Sequence, residues 1–203
     1  MSDRDVGRFG RWAGSYNRSV LQRLFFGPLQ EYTLRTLASH CPDPESILDI
    51  GCGTGLLLAR AARRFPAADL TGVDPAEAMV RVARATARDE RVDFLHGFAE
   101  QLPVADASVD AAVTTMSFHH WQDQPAALRE VRRALRPGGV FALADAFPTG
   151  WLRRLFARSD HGRFHQPDAI RCMLEDAGFV VERFARVPRL GGTVQVVVAT
   201  VPR

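Results

Sequence analysis

Between residues 46 and 144 the chain alternates short apolar runs, which are typical of buried strands, with amphipathic stretches typical of helices. The strand-like runs are residues 46–50, 69–73, 92–96, 109–115 and 140–144, and the helical stretches are residues 55–65, 75–88 and 125–135. Strand–helix–strand repeats with short links predict right-handed crossovers and a parallel sheet that is covered by helices on both faces. The middle of the chain therefore indicates an α/β fold.

The two ends of the chain follow other patterns. Residues 1–45 read as helical with one apolar face, and residues 168–177 read as a helix that Gly178 ends. Residues 179–187 and 193–201 read as two strands, and their short connection favours an antiparallel hairpin. We therefore expect one domain over residues 1–203, with the last strand antiparallel to its neighbours.

Composition excludes several classes of protein. The 203 residues carry a net charge of +3, and the basic residues, all arginine, are spread along helical stretches as on solvated helix faces. No apolar run approaches the roughly 18–20 residues of a membrane span, and the first residues lack an apolar signal segment, so we expect a cytoplasmic protein. The three cysteines are far apart and form no CxxC pair, which argues against a metal site or a disulfide.

The segment ILDIGCGTG, residues 47–55, joins the first buried strand to the first helix. Glycines at this edge of a parallel sheet let the backbone approach a ligand without Cβ atoms in the way. The spacing is not the GxGxxG of dinucleotide sites, because Leu56 stands where the third glycine would be. Asp49, just ahead of the glycines, is a poor neighbour for a pyrophosphate and suits a positively charged ligand.

ILDIGCGTG resembles motif I of the class I S-adenosylmethionine-dependent methyltransferases. LTGVDPAEAM, HGFAEQLPVADASVDAAVTTMSFHHW and LREVRRALRPGGVFALADAF follow in the family's order, so the similarity covers roughly residues 45–145. The chain is most similar to the methyltransferase type 11 group, which includes quinone-biosynthesis C-methyltransferases. The resemblance implies a Rossmann-like, seven-stranded, mostly parallel sheet with helices on both faces. It also implies S-adenosylmethionine as cofactor and S-adenosylhomocysteine as product.

With that family in view, the chain divides into a helical N-terminal lid (residues 1–45), a cofactor-binding core (46–145), and a substrate-side segment with the C-terminal hairpin (146–203). In the core, Asp49 and the glycine turn would hold the methionine part of the cofactor, whose ammonium and sulfonium are cationic. Thr114 and Thr115, at the end of the fourth strand, would offer backbone carbonyls to the ammonium, as in similar enzymes. The turn consists of Gly51, Cys52, Gly53 and Gly55, with Cys52 also explicable as a small residue where bulk would not fit.

Asp74 ends the second strand about 20 residues past the turn, where an acid accepts hydrogen bonds from ribose hydroxyls. Its alternative role is to cap a helix that starts at Pro75. Met79 is expected against the adenine or in the core. Tyr16 resembles the N-terminal tyrosine that covers the methionine carboxylate in similar enzymes, with helix packing as its alternative.

The segment Gly97-Phe98-Ala99-Glu100 departs from the family's pattern, which often reads GDAE. The family's Asp accepts a hydrogen bond from the adenine amine, and Phe98 stands in its place. Phe98 could contact the adenine face while the Ala99 backbone reads its edge, and Glu100 is a further candidate. Core packing of Phe98 and a solvated Glu100 are the structural alternatives.

Three polar side chains are candidates for the chemistry. His119 and His120 follow the fourth strand and Asp145 ends the fifth, so all three are expected at the pocket. Histidine titrates near neutral pH and serves as a base when the methyl acceptor must lose a proton. Helix entry and core packing are the alternatives for the two histidines.

The sequence predicts methyl transfer to a small, partly apolar metabolite such as a phenol, a quinone precursor or a polyketide-like intermediate. O- and C-methylation stay open, as does the oligomeric state, for which a homodimer is one option. Neither nucleic acid nor a membrane is an expected partner. The alternatives are a non-catalytic S-adenosylmethionine-binding protein, methylation of RNA or protein, and a nicotinamide dehydrogenase, which the missing GxGxxG spacing opposes.

Overall fold

The computed structural model describes residues 22–149, 163–188, 190 and 192–203, and these residues form one seven-stranded sheet with helices packed around it. The strands are β1 (Ser46–Ile50), β2 (Asp69–Asp74), β3 (Val92–His96), β4 (Val109–Thr115), β5 (Leu135–Ala146), β6 (Val180–Arg186) and β7 (Val194–Thr200). The helices are α1 (Gly27–His40), α2 (Leu56–Arg64), α3 (Glu77–Thr86), α4 (Gln124–Ala134) and α5 (Pro167–Asp176). A π-helical turn, Gln22–Phe26, precedes α1, and a 3-10 turn, Phe118–His120, follows β4.

The strand order is β3-β2-β1-β4-β5-β7-β6. Strands β1 to β5 pair in parallel, and β7 is antiparallel to both β5 and β6. This arrangement confirms the predicted Rossmann-like sheet with an antiparallel last strand. The chain winds outward from β1 through β2 to β3 and then returns to the other side of β1 with β4. The order therefore reverses between β1 and β4, which is where a crevice opens in sheets of this type.

Apolar side chains alternate between the two faces of the sheet, because successive side chains of a strand point to opposite sides. In β1, Ile47 packs with Leu34 of α1 and Leu57 of α2, whereas Leu48 packs on the other face with Leu128 of α4. Each face therefore has its own buried cluster. Asp49 is the polar residue among the four buried residues of β1, so its burial costs free energy unless a partner is provided.

After residue 45, two elements start at least two residues away from their predicted positions. Helix α3 begins at Glu77 rather than at Pro75, with Ala76 as the residue before its first turn. The Asp74 carboxylate accepts a hydrogen bond from the Ala76 backbone N–H at 2.8 Å, so the chain makes a turn there before the helix starts. Strand β5 begins at Leu135, five residues earlier than expected, because Leu135 pairs with Val109 of β4.

Of the N-terminal region expected to form a lid, residues 22–40 are helical and residues 41–45 are not. Residues 1–21 lie outside the described residues, as does most of the segment between β5 and α5. Across the described ranges no helix is long and apolar enough to span a membrane. Nor do those ranges contain a group of three or more histidine, cysteine or acidic side chains that could hold a metal ion.

Candidate active site

A cleft opens at the carboxyl ends of β1, β2 and β4, where the strand order reverses. Its floor is the turn between β1 and α2, and its cover comes from the N-terminal helical region through Gln22, Phe26 and Gln30. The remaining lining residues come from the three strand ends and the helices that follow them: Asp49, Gly51, Cys52, Gly53, Thr54, Leu56, Leu57, Asp74, Met79, Thr115, Met116, Ser117, His119 and His120.

Two glycines of the turn are required for different physical reasons. Gly51 has φ +76°, and a Cβ there would lie 1.9 Å from Ser117 Oγ. Ser117 therefore leaves no room for a side chain at this position. Gly53 has φ +55°, and a Cβ there would meet no heavy atom within 4 Å, so its missing side chain leaves open space in the cleft. The prediction that bare backbone faces a ligand therefore applies to Gly53 rather than to Gly51.

Asp49 lies at the base of the cleft and is almost completely buried, with 1% of its surface exposed. Its Oδ1 atom has no hydrogen-bond partner. Burial, and secondly the nearby Asp74 charge, raise the pKa of Asp49 to about 8. A buried acceptor without a donor costs free energy, so the position is suited to a ligand that brings positive charge or N–H groups.

Asp74 lies beside it on β2 and is also buried, yet both of its oxygens have partners. Oδ1 accepts the Ala76 N–H and Oδ2 accepts the Gly53 N–H, each at 2.8 Å. Burial raises the pKa of Asp74, and these two hydrogen bonds oppose that effect. The carboxylate is therefore fixed in orientation and holds the turn in place, which is more than the cap of α3 that the sequence allowed.

Cys52 and Met79 are buried residues in the lining of the cleft. The Cys52 sulfur packs so closely on Gly72 that a Cβ at Gly72 would approach it to 2.9 Å, which favours the small-residue interpretation. Burial raises the pKa of Cys52 well above its usual value, so the residue is a thiol. Met79 is buried and lines the cleft, outside both apolar clusters of the sheet.

A second, smaller depression continues from the main cleft past the Asp74 carboxylate. The two share Gly51, Asp74, Ser117 and His120 in their walls, so Asp74 lies at their junction. The walls of the second depression are completed by Ile50, Val73, Pro75, Gly97, Phe98, Ala99, Glu100 and Trp121. The structure thus brings the predicted segment 97–100 to the far side of Asp74.

His119 and Asp145 form a buried pair behind the main cleft. His119 Nδ1 lies 2.8 Å from Asp145 Oδ1, and the His119 backbone N–H donates to Oδ2 at 3.1 Å. A carboxylate accepts, so Nδ1 carries a proton in this contact and Nε2 lies on the side of the ring away from Asp145. Nε2 has no hydrogen-bond partner among the described residues. Asp145, expected to face the pocket, instead lies behind His119 because its carboxylate is bound to that residue.

The His119 ring contacts two other aromatic rings. Phe164 stacks on it at a centroid distance of 4.3 Å, and His120 lies against it at 4.0 Å. The Arg163 N–H donates to the His119 carbonyl oxygen at 2.8 Å, which anchors the Phe164 segment to the 3-10 turn. His120 lines both depressions, as expected for a residue near the junction.

The sequence also singled out Tyr16, Thr114 and Thr115. Tyr16 lies outside the described residues. Thr115 lines the cleft, whereas the Thr114 hydroxyl donates to the Ile50 carbonyl oxygen at 2.8 Å and joins β4 to β1. Ser117, Met116, Leu57, Phe26 and Gln30 line the cleft and were missed. Ser117 and Met116 had a local signal, since they follow the end of β4, but α1 carries none that separates a cleft residue from a core residue.

Comparison with known proteins places this site in a family. A family model described as a methyltransferase domain, of type 11, matches residues 48–143. A malonyl-[acyl-carrier protein] O-methyltransferase of Dechloromonas aromatica is 40% identical over 151 residues, or 70% of this chain, and the chain spans 55% of that protein. The O-methyltransferase rstn1 of Aspergillus nomiae is 31% identical over 158 residues, which cover 73% of this chain and 70% of that protein.

Among solved structures, the methyltransferase in a complex with the Haloferax volcanii activator Trm112 superposes with a TM-score of 0.82. The alignment covers 96% of this chain and 98% of that one at 20% identity, so it shows a shared fold. The motif-bearing core matches the family model, and the chain spans more than two thirds of an O-methyltransferase that is 31% identical to it. The chain therefore belongs to the class I S-adenosylmethionine-dependent methyltransferases.

Proposed function

We propose that this protein transfers the methyl group of S-adenosylmethionine to an oxygen atom of a small, partly apolar metabolite, such as a phenol, a quinone precursor or a polyketide-like intermediate. One observation carries the proposal: a single cleft is lined by both an unpaired buried carboxylate, Asp49, and a histidine, His119, that a second buried carboxylate orients. The first suits a cationic methyl donor, and the second suits an acceptor that must lose a proton.

The residues of the cleft fit the cofactor. Asp49 Oδ1 offers an unused acceptor to a ligand with an ammonium and a sulfonium, and Gly53 leaves its side-chain space open. Asp74, fixed by two backbone donors, would receive the ribose hydroxyls at the junction of the two depressions. When bound, the cofactor supplies a methyl group that the sulfonium has already activated for displacement.

His119 would act as the general base. Its Nε2 atom takes the proton of the acceptor hydroxyl, while Nδ1 keeps its hydrogen bond to Asp145. The Asp145 carboxylate then stabilises the positively charged ring. Asp145 is therefore a positioning residue, and His120 would contact the acceptor next to His119. Such a pair supports a catalyst over a protein that only binds the cofactor.

The acceptor would be partly apolar because of the other walls of the cleft. Phe26, Leu57 and Met116 line the same space as His119 and offer no charge to an acceptor. Oxygen is favoured as the methylated atom by the names of the relatives, which are O-methyltransferases. Methylation of RNA or protein has no comparable support from the described residues.

A screen of acceptors with cofactor labelled on its methyl group tests the proposal. The panel contains phenols, quinols, enols and a malonyl-loaded acyl carrier protein, and we expect label on one of the hydroxyl compounds. His119→Gln should lower kcat by about 10²–10⁴-fold, the usual contribution of a general base. The defect should shrink as the acceptor hydroxyl becomes more acidic, because an ionised acceptor needs no base.

His40→Gln is the matched control, since His40 lies at the end of α1 outside the lining of the cleft, and it should leave turnover unchanged. Asp145→Asn should lower kcat without changing the KM for the cofactor. Tight binding of S-adenosylhomocysteine with no labelled product from any acceptor would support the non-catalytic alternative instead. A His119→Gln defect that is equal for all acceptors would mean that the pair is structural.

A further inference from the structure

The helices α2 and α3 lie on the same face of the sheet, because residues of both belong to one buried cluster. Ala59 and Ala62 of α2 and Ala83 of α3 line the gap between them, and such small side chains cannot interdigitate as larger ones do between closely packed helices. The gap is a groove of about 440 Å³, compared with about 190 Å³ for the main cleft. Ala59 is exposed, so the groove opens to solvent.

One end of the groove reaches the glycine turn from which α2 begins. Its buried wall there is the Phe94 ring of β3, and a Cβ at Gly55 would lie 2.5 Å from that ring. Thr54 and Leu56 line both the groove and the main cleft, whereas the other described residues of the groove do not line the cleft. The groove is therefore a separate space that meets the glycine turn at one end.

Positive charge collects at the other end, where α2 ends and the chain leaves α3. Arg63 lies in the last turn of α2, and Arg88 follows the end of α3. Neither guanidinium has a hydrogen-bond or ion-pair partner among the described residues. Asp89 lines the same end, but its carboxylate lies 2.6 Å from the Arg91 guanidinium and accepts the Arg91 backbone N–H at 3.1 Å. The groove thus has two arginines without partners here and an acid that is already paired.

We propose that this groove binds a carboxylic acid with an unbranched apolar tail, such as decanoate. The carboxylate lies at Arg63 and Arg88, whose planar guanidinium groups suit it, and the tail lies along the alanines towards Phe94. The helical rise separates Leu56 from Arg63 by about 10 Å, a distance that extended decanoate spans. An apolar groove of this volume with a few polar groups is typical of small-molecule sites. The site does not depend on the proposed function, since no methyl transfer takes place in it.

Calorimetry with decanoate, decanol and butanoate tests the site. We expect decanoate to bind with a dissociation constant of about 10–100 µM, an ordinary value for a ligand of this size. Butanoate should bind at least about 100-fold more weakly, because most of the methylene groups that would be buried are missing. Decanol should bind about fivefold more weakly, because an exposed ion pair contributes little. Equal affinity for decanoate and butanoate, or no binding of decanoate, would overturn the proposal.

Two variants locate the ligand in the groove. Ala59→Phe fills the groove from an exposed position, so the fold should survive, and decanoate should bind at least about tenfold more weakly because the new ring clashes with it. The double variant Arg63→Gln with Arg88→Gln should bind decanoate about fivefold more weakly and decanol unchanged, because only the charged head loses its partners. Arg81→Gln is the matched control, since Arg81 is exposed on α3 outside the groove lining, and it should change neither affinity.

Three further results would overturn the proposal. Decanoate binding that Ala59→Phe leaves unchanged would place the ligand outside the groove. Binding that the double variant leaves unchanged would mean that the arginines do not hold the carboxylate. A dimer in sedimentation that Ala59→Phe dissociates would assign the groove to a second copy of the chain. A failed acceptor screen with decanoate bound in the groove would instead contradict the proposed function alone.

Discussion

Asp49 and Asp74 lie in one cleft, but their carboxyl groups differ in whether the protein supplies them with hydrogen-bond donors. Both carboxylates are buried, and they lie on adjacent parallel strands, where Asp49 pairs with Gly72 two residues before Asp74. The Asp74 oxygens accept two backbone N–H groups, whereas Asp49 Oδ1 accepts none. Asp74 therefore has its hydrogen-bond partners without a ligand, whereas Asp49 Oδ1 gains a partner only when a ligand binds.

The difference indicates what each acid contributes. Asp74 orders the glycine turn and presents a fixed surface, so a ligand that binds there need not organise it. Asp49 holds an unfavourable position in the free protein, which is reflected in a pKa raised to about 8 by burial and by the Asp74 charge. A cationic ligand would relieve both causes. The two acids should therefore respond differently to substitution.

The largest effect is expected at Asp74. Asp74→Ala would leave the Gly53 and Ala76 N–H groups without their acceptor, which costs about 1–3 kcal/mol of stability for each group that stays buried. The same change removes the acceptor for the ribose and disorders the turn, so cofactor affinity should fall about 100-fold. Denaturant unfolding and calorimetry with S-adenosylhomocysteine measure the two losses.

Asp69→Ala is the control for this substitution, because Asp69 is exposed at the start of the same strand. It should change neither stability nor affinity. If Asp74→Ala lowered stability while affinity stayed unchanged, Asp74 would be only a structural support. If affinity fell with no loss of stability, the hydrogen bonds to Gly53 and Ala76 would be of no energetic consequence.

An opposite effect on stability is expected at Asp49. Its folded-state pKa lies above the unfolded value, so the native state keeps a proton that the unfolded chain has released, and native stability falls as pH rises from about 4 to about 8. Asp49→Asn removes this titration. The variant should gain stability relative to the natural chain as pH rises, with the difference levelling above about pH 8.

Cofactor binding by Asp49→Asn should weaken by about tenfold, since a neutral amide replaces a charge opposite a cationic ligand. Unfolding series at several pH values and calorimetry with S-adenosylmethionine measure the two responses. A variant that is less stable than the natural chain at pH 9 would show that Asp49 already has a favourable partner, contrary to its unpaired Oδ1. Unchanged affinity would remove Asp49 from the binding site.

The fold was predictable because its signals are local. Each strand and each helix has its own spacing of apolar residues, so a run such as residues 46–50 can be recognised without its neighbours. The start of α3 was misjudged for a physical reason: Pro75 is common at the first helical position, but the Asp74 side chain made a turn with Ala76 instead. The sequence cannot show which of two local hydrogen bonds an aspartate will form.

The site was predictable only where the resemblance or a strand end marked it. Asp49, Asp74 and His119 were found in this way, and the structure brings all three to one cleft. The pairing of His119 with Asp145 and the donors to Glu100 were not predictable, because the paired residues are distant in the chain. Asp145 is 26 residues from His119, and the donors to Glu100 are 22 and 23 residues away, so only the register of the sheet brings them together.

The smallest effect concerns a proton, and it distinguishes the two acids most directly. In the free protein at pH 7 Asp49 is mainly protonated, because its pKa is about 8. A cationic ligand favours the ionised form, so binding should expel about one proton at pH 7 and almost none well above pH 8. Affinity should accordingly rise with pH up to about 8 and then level. Calorimetry at one pH in two buffers of different ionisation enthalpy counts the released proton.

Asp49→Asn should abolish this release, since no proton is left at that position to expel. Asp74 should contribute less to the release than Asp49, because its two backbone N–H donors oppose the raising of its pKa by burial. A release that persisted in Asp49→Asn would assign the proton to another group and would make the two acids equivalent. Loss of the release together with retained binding at high pH would identify Asp49 as the carboxyl group that loses its proton when the cationic ligand binds.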